Sequence, residues 1–289
     1  MNLNEYLDTY ITMISLRGLT DHTVKSYKTY VSAYLDYAFN SLQKDPSDVS
    51  WDEMRSFINH LQQSRNLSDR TINAVISQLR FFTMYILHKT WDQTQLPMRR
   101  FDQYIPFVPS RDEVATFINA IDNLKVRAMV ILMYSAGLRI GEVCHIKCED
   151  IDRKSMRIHI THGKNRSDRY AILSPLALKE LETYWRKCGR PRNYLFPQKS
   201  NPDKPNDSAN VEFHMKNTEA KLGWKHRFTC HSFRHAFATH FYEDTLDLLT
   251  LKHLLGHKSL NSTTIYVTLS DVTLRKYASP FDALEVSCG

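Results

Sequence analysis

Along the first ninety residues, apolar side chains recur at three- and four-residue spacing, the signature of amphipathic helices. Val24, Tyr27, Tyr30, Val31, Tyr34 and Leu35 make one such stripe. Residues 19–24 and 67–72 are near copies, in which Thr20 and Ser68 stand as helix caps ahead of the acidic first-turn residues Asp21 and Asp69. Between them Ser50 and Glu53 form a capping box, each able to satisfy the other's free backbone N–H. The pattern predicts a small helical bundle over residues 1–94. It breaks over residues 95–109, where Pro97, Pro106 and Pro109 cannot donate helical hydrogen bonds, and an extended basic linker is expected there. Its Arg99 and Arg100 read equally as phosphate contacts or as solvated linker charges.

A second capping box, Ser110 with Glu113, opens a larger domain over residues 110–289. Helices are expected over residues 111–122, 125–146, 175–188, 207–221, 232–242 and 246–255. One β-hairpin interrupts them: Met156, Ile158 and Ile160 alternate with Arg157, His159 and Thr161, and the chain returns over residues 170–173. The fold class is therefore mainly α with a small β-hairpin.

At 289 residues and 42% apolar content, the chain can give each of two domains its own core. It contains no run of eighteen apolar residues and no secretory leader, so the expectation is a cytoplasmic protein without a membrane partner. Five scattered cysteines (Cys144, Cys148, Cys188, Cys230 and Cys288) do not read as a disulfide framework, and reduced thiols are expected. Cys144, His145 and Cys148 lack the second ligand pair that structural zinc needs. The net charge of +7 is unevenly placed: residues 1–90 hold nine basic and nine acidic side chains, and the remainder holds 29 against 22. A basic surface of this kind attracts polyanions, although it identifies none.

The chemistry is suggested by polar residues at element ends in the second domain. Arg139 lies in Gly137-Leu138-Arg139-Ile140-Gly141-Glu142, and Lys164 lies in the hairpin turn. His231 and Arg234 share His231-Ser232-Phe233-Arg234, His257 follows Gly256, and Tyr266 follows Thr263-Thr264-Ile265. The intervals from His231 onward are 3, 23 and 9 residues, and Arg139 lies 92 residues before His231. In this order the motifs resemble the tyrosine recombinase, or phage integrase, family, with Phe233 in place of the usual Leu as a mild departure. The resemblance covers the second domain closely, and residues 23–27 resemble that family's core-binding helix.

The resemblance implies a helical, SAM-like core-DNA-binding domain over residues 1–94, a linker over residues 95–109, and a catalytic domain of the DNA breaking-rejoining fold with a C-terminal tail over residues 110–289. It implies a site-specific recombinase that cleaves and rejoins duplex DNA through a 3′-phosphotyrosine. The physical demands agree: such an exchange needs a nucleophile, charge stabilisation on the phosphate oxygens and a proton for the departing oxygen. Tyr266 is expected as the nucleophile, Arg139 and Arg234 as paired donors to phosphate, and His231 as base or orienting group. Lys164 is expected to protonate the departing 5′ oxygen, and His257 to donate a hydrogen bond to the phosphate. Glu142 is expected to orient local structure, and His235, one helical turn after His231, to support it. Tyr242 and Tyr277 are decoys.

Because one phosphodiester replaces another, neither ATP nor a metal is needed, and no cofactor is expected. Expected partners are double-stranded DNA sites and three further copies in a homotetramer on two sites, with a monomer or weak oligomer when free. Accessory recombination proteins are further candidates, and residues 271–284 are expected to dock on a neighbouring protomer. The chain starts almost directly at its helical domain, which favours a mobile-element recombinase or a dimer resolver. Three alternatives are a catalytically inactive DNA-binding relative, a type IB topoisomerase-like relaxing enzyme, and a metal-dependent hydrolase. The last is motivated by the pairs His231/His235 and His253/His257, but these lack the Glu of a His-Glu-x-x-His motif.

Overall fold

The computed structural model describes residues 1–101, 106–161, 168–225 and 228–270. The chain forms two compact units, Met1–Tyr104 and Ile105–Gly289.

The first unit is a bundle of α1 (Leu3–Leu16), α2 (Asp21–Asp36), α3 (Trp51–Arg65) and α4 (Asp69–Tyr85), with α2 closing in a wider turn over Tyr37–Ser41. Each helix starts at a side-chain cap: Asn2, Thr20, Ser50 and Ser68, with reciprocal Glu partners at Asn2 and Ser50. From the α2 stripe Val31, Tyr34 and Leu35 are buried. Tyr34 sets its ring edge-on to Phe57 at 5.6 Å and to Phe82 at 6.0 Å, a geometry that brings the positive ring edge to a negative face. Tyr10 is fully buried, and its hydroxyl donates to Gln78 Oε1 at 2.8 Å, so the polar atom is satisfied inside the core.

Residues 95–101, part of the expected extended basic linker, are tied to this bundle. Leu96 is buried, Arg55 donates to the Gln95 carbonyl at 2.9 Å, and Asn73 exchanges hydrogen bonds with the Arg99 backbone at 2.8 and 2.9 Å. The Arg99 guanidinium bonds Gln62 and pairs with Asp69 at 3.2 Å. Arg99 is thus not a solvated linker charge.

The second unit begins with α5 (Arg111–Ala120), capped by the Ser110/Glu113 box, and α6 (Leu124–Ser135). The helix expected over residues 125–146 is two helices, α6 and α7 (Ile140–His145). Gly137 causes the break. It has φ +63°, and a Cβ there would lie 2.4 Å from Phe237 Cδ1, so only glycine lets the backbone turn against that ring. Next comes a three-stranded antiparallel sheet in the order β1 (Ile151–Asp152), β2 (Arg157–Ile160) and β3 (Arg169–Ile172). The β2/β3 hairpin pairs Ile158 with Ala171; β1 is too short to show a period and was not anticipated.

The sheet is followed by α8 (Pro175–Lys187), α9 (Ser208–Leu222), α10 (Cys230–Thr245), α11 (Leu248–Leu255) and α12 (Ile265–Leu269). The helix expected from residue 232 starts at Cys230 because Thr229 caps it, and α11 starts at Leu248 because Leu246 takes φ +55° to end α10. Helix α10 is buried along most of its length. Phe233 and Ala236 belong to the main core, while Phe237, Ala238 and Tyr242 join Leu251, Leu255 and Tyr266 in a smaller one. Arg234 therefore sits at the seam between two apolar clusters. No helix among the described residues is long and apolar enough to cross a membrane.

Candidate active site

The break at Gly137 builds the first wall of the site. With the helix interrupted, the Gly137 carbonyl has no helical donor and accepts from Arg234 Nη1 at 2.5 Å. Arg139 then falls at the cap of α7, where its backbone N–H donates to Glu142 Oε2 at 2.9 Å and its Nη1 to Glu142 Oε1 at 2.8 Å.

Glu142 is the centre of the arrangement. Arg169, on the inward face of β3, donates Nη1 and Nη2 to its two oxygens at 2.8 Å each, and Arg234 Nη1 stands 3.9 Å from Oε2. The Glu142 side chain is only 5% exposed. Burial alone would raise its pKa, but the fork from Arg169 and the charge and backbone N–H of Arg139 outweigh it and hold the carboxyl at about 2. One carboxylate thus fixes three guanidiniums. Arg169 Nε donates to the Leu254 carbonyl at 3.0 Å, tying the hairpin to the end of α11.

At that end Gly256 adopts φ +64°, and a Cβ would meet Arg169 Cδ at 2.8 Å. The left-handed step carries the chain over Arg169 and delivers His257. Arg234 Nη2 donates both to the Leu255 carbonyl at 2.8 Å and to His257 Nε2 at 3.1 Å. An arginine only donates, so Nε2 is the acceptor and the ring carries its proton on Nδ1, which donates to Thr263 Oγ1 at 2.9 Å. Both ring nitrogens are engaged, and a bond from His257 to a phosphate requires one of these partners to be released. Burial, then Arg234 and Arg139, push the His257 pKa down to about 4. Burial also lowers Arg234 to about 10, which leaves it charged at neutral pH.

Tyr266 lies in α12 and is 2% exposed. Its hydroxyl meets His235 Nδ1 at 3.2 Å. Burial raises the Tyr266 pKa, opposed by the positive charges of Arg234 and Arg139. His235 is pushed down to about 4 by burial, then by His231 and Arg234. His231 opens α10 from an exposed position, with its ring centre 6.3 Å from that of His235. Beside it a cleft of about 790 Å³ is lined by Arg139, Glu142, His145, Lys147, Tyr194 and His231 among others.

Arg139, Arg234, His257 and Tyr266 are therefore brought together through direct bonds or close charges, and His231 borders the cleft. Lys164 and Tyr277 lie outside the described residues, as does the segment over residues 271–284. Tyr242 is buried in α10. Thr263, which the motif reading gave no role, holds His257.

Arg169 is a site residue that the motif reading does not single out. Its signal was the period of β3: Ala171 faces the core, so Arg169, two residues earlier, faces inward as well. Among the described residues no group of three His, Cys, Asp or Glu side chains is placed to hold a metal ion.

Comparison with known proteins places the chain in a family. The phage integrase family pattern matches residues 110–272, and the phage integrase N-terminal SAM-like domain matches residues 6–93. The chain belongs to the phage integrase family, the tyrosine-type site-specific DNA recombinases. A putative integrase/recombinase of Sinorhizobium fredii is 32% identical over 94% of this chain and 86% of its own length. The tyrosine recombinase XerA of Thermococcus kodakarensis is 29% identical over 94% of each chain.

Among solved structures, XerA recombinase aligns at TM-score 0.54 and 25% identity, covering 95% of this chain and 97% of its own. A lambda integrase dimer bound to a COC' core site aligns at TM-score 0.74 and 19% identity, covering 99% and 100%, which is a likeness of fold.

Proposed function

We propose that the chain recombines duplex DNA at specific sites by forming a 3′-phosphotyrosine through Tyr266. The observation that carries this reading is the convergence of Arg139, Arg234, His257 and Tyr266, far apart in sequence, on one charged cluster around Glu142. Two guanidiniums supply charge-assisted donors for the non-bridging phosphate oxygens. His231, at the edge of the cleft, assists at the nucleophile side, and Lys164 protonates the departing 5′ oxygen. His257 donates to the phosphate once Thr263 releases its Nδ1–H, or once Nε2, vacated by Arg234, takes up a proton. Bond energy is retained in the tyrosyl phosphodiester, so rejoining needs neither ATP nor a metal.

The partner is double-stranded DNA. Residues 1–94 form the core-DNA-binding domain, residues 95–109 connect, and residues 110–289 carry the chemistry and a C-terminal tail. Four copies act on two sites, for a mobile element or for dimer resolution.

Incubation with a nicked suicide duplex carrying the target site tests this. The expected result is a covalent protein–DNA adduct that the Tyr266→Phe variant does not form. An adduct that persists in Tyr266→Phe, or its absence from the unaltered chain on a bound site, refutes the assignment.

A further inference from the structure

We infer that His235 is a catalytic residue of this site: its Nδ1 accepts the hydrogen bond of the Tyr266 hydroxyl and takes that proton as the phenolic oxygen attacks phosphorus. The inference rests on the proposed Tyr266 chemistry and deepens it, because it assigns to His235 the proton that sequence reading gave to His231.

The geometry is specific. His235 Nδ1 lies 3.2 Å from the Tyr266 oxygen, within reach for proton transfer. The two rings lie 5.8 Å apart between centres, and both side chains are held on helices, α10 and α12, that pack on each other. Tyr266 is buried among Phe237, Leu251 and Leu255, so a proton leaving its hydroxyl needs an acceptor within the protein. Among the described residues, the other groups around the pair are less suited to the task. Arg234, on the same helix, and Arg139, at the cap of α7, bring charge that stabilises a phenolate but no lone pair to receive a proton. His257, beyond α11, has its acceptor nitrogen occupied by Arg234. His231 lies one turn away on α10, at an exposed position.

What suits His235 to this part is its neutrality; its basicity in the resting site is low for a general base and has to rise for the step. A histidine protonated at neutral pH would have no lone pair on Nδ1 and would itself donate; burial together with His231 and Arg234 keeps the ring neutral. A phosphodiester placed beside it brings negative charge, which raises the affinity of the imidazole for a proton at the moment of attack.

The step balances. The Tyr266 oxygen forms a bond to phosphorus, its proton passes to His235 Nδ1, the bond from phosphorus to the 5′ oxygen breaks, and that oxygen takes a proton from Lys164. In rejoining, the incoming 5′ hydroxyl returns its proton to Lys164 and His235 reprotonates the departing phenolate.

Two measurements test this. Single-turnover cleavage of a suicide duplex with a bridging 5′ sulfur removes the need to protonate the leaving group, so the rate reports the nucleophile. His235→Ala and His235→Gln, each first shown to bind the duplex as the unaltered chain does, are expected to cleave about 100-fold more slowly at pH 7, the scale of a lost general base. The deficit should narrow as pH rises toward 9. The glutamine can still accept a hydrogen bond but not a proton, so it separates proton transfer from orientation.

Independently, the imidazole nitrogen spectrum of the unaltered chain should show His235 with its proton on Nε2 and Nδ1 bare, and the Nδ1 signal should shift in Tyr266→Phe. Either variant cleaving within about twofold of the unaltered chain, or a proton resident on Nδ1, overturns the inference. If the unaltered chain itself forms no Tyr266 adduct, the parent reading fails instead.

Discussion

Replacing Glu142 by glutamine should remove the charge that holds Arg139, Arg169 and Arg234 together while leaving the side chain's shape. The magnitude follows from the carboxyl's titration. A pKa lowered from 4.5 to about 2 in the folded unit corresponds to roughly 3 kcal/mol, at about 1.4 kcal/mol per tenfold in proton affinity. That value sits at the lower end of what is lost on breaking a buried ion pair, about 3–5 kcal/mol.

The sign is fixed by the direction of the shift. Because the folded pKa is depressed, the stabilisation is complete above about pH 4.5 and disappears as pH falls toward about 2. In a unit of this size it amounts to roughly 6–12 °C in melting temperature at pH 7. Thermal unfolding of the unaltered chain and Glu142→Gln, followed by circular dichroism from pH 7 to pH 3, checks it. The gap should hold to about pH 5.5 and fall to under about half by pH 3. A variant melting within 1 °C of the unaltered chain at pH 7, or a gap that does not narrow in acid, refutes the reasoning.

The two glycines that flank Arg139 should respond oppositely to alanine. Gly137→Ala meets both a left-handed backbone and the Phe237 ring, and should cost about 2–4 kcal/mol. Gly141→Ala meets no atom within 4 Å inside α7 and should stabilise by up to about 1 kcal/mol; urea unfolding distinguishes them, and equal shifts would contradict the account. In the first unit, Arg99→Met should cost only about 1 kcal/mol through loss of the half-exposed Asp69 pair. It should leave the salt dependence of DNA binding unchanged, whereas a phosphate-contacting arginine would lower the slope by about 1.

Local rules made much of the fold legible. Thr20, Ser50, Ser68 and Ser110 announced helix starts because a cap and its partner lie within four residues of each other. The break between α6 and α7 was hidden because Gly137 is required by Phe237, a hundred residues away, and apolar periodicity runs straight through it. The same limit applies at the site. Motif order singled out Arg139, Arg234, His257 and Tyr266, and these do stand together. Spacing could not say that His235 rather than His231 would meet the Tyr266 hydroxyl, since both lie on one helix face and the choice depends on where α12 packs. Nor could it pick out Arg169 as the partner of Glu142, because that depends on where β3 lies relative to α7.

Three guanidiniums on a single carboxylate leave the cluster with two positive charges in excess, since His235 and His257 are neutral. A phosphodiester carries one negative charge, and the five-coordinate arrangement reached as a phenolate oxygen adds carries a second. In the proposed attack the Tyr266 proton moves to His235, so the cluster and the reacting group each gain one charge of opposite sign, and the same cluster that rewards binding favours the passage through the barrier more strongly. A second carboxylate beside Glu142 would cancel that selectivity even if every arginine kept its place.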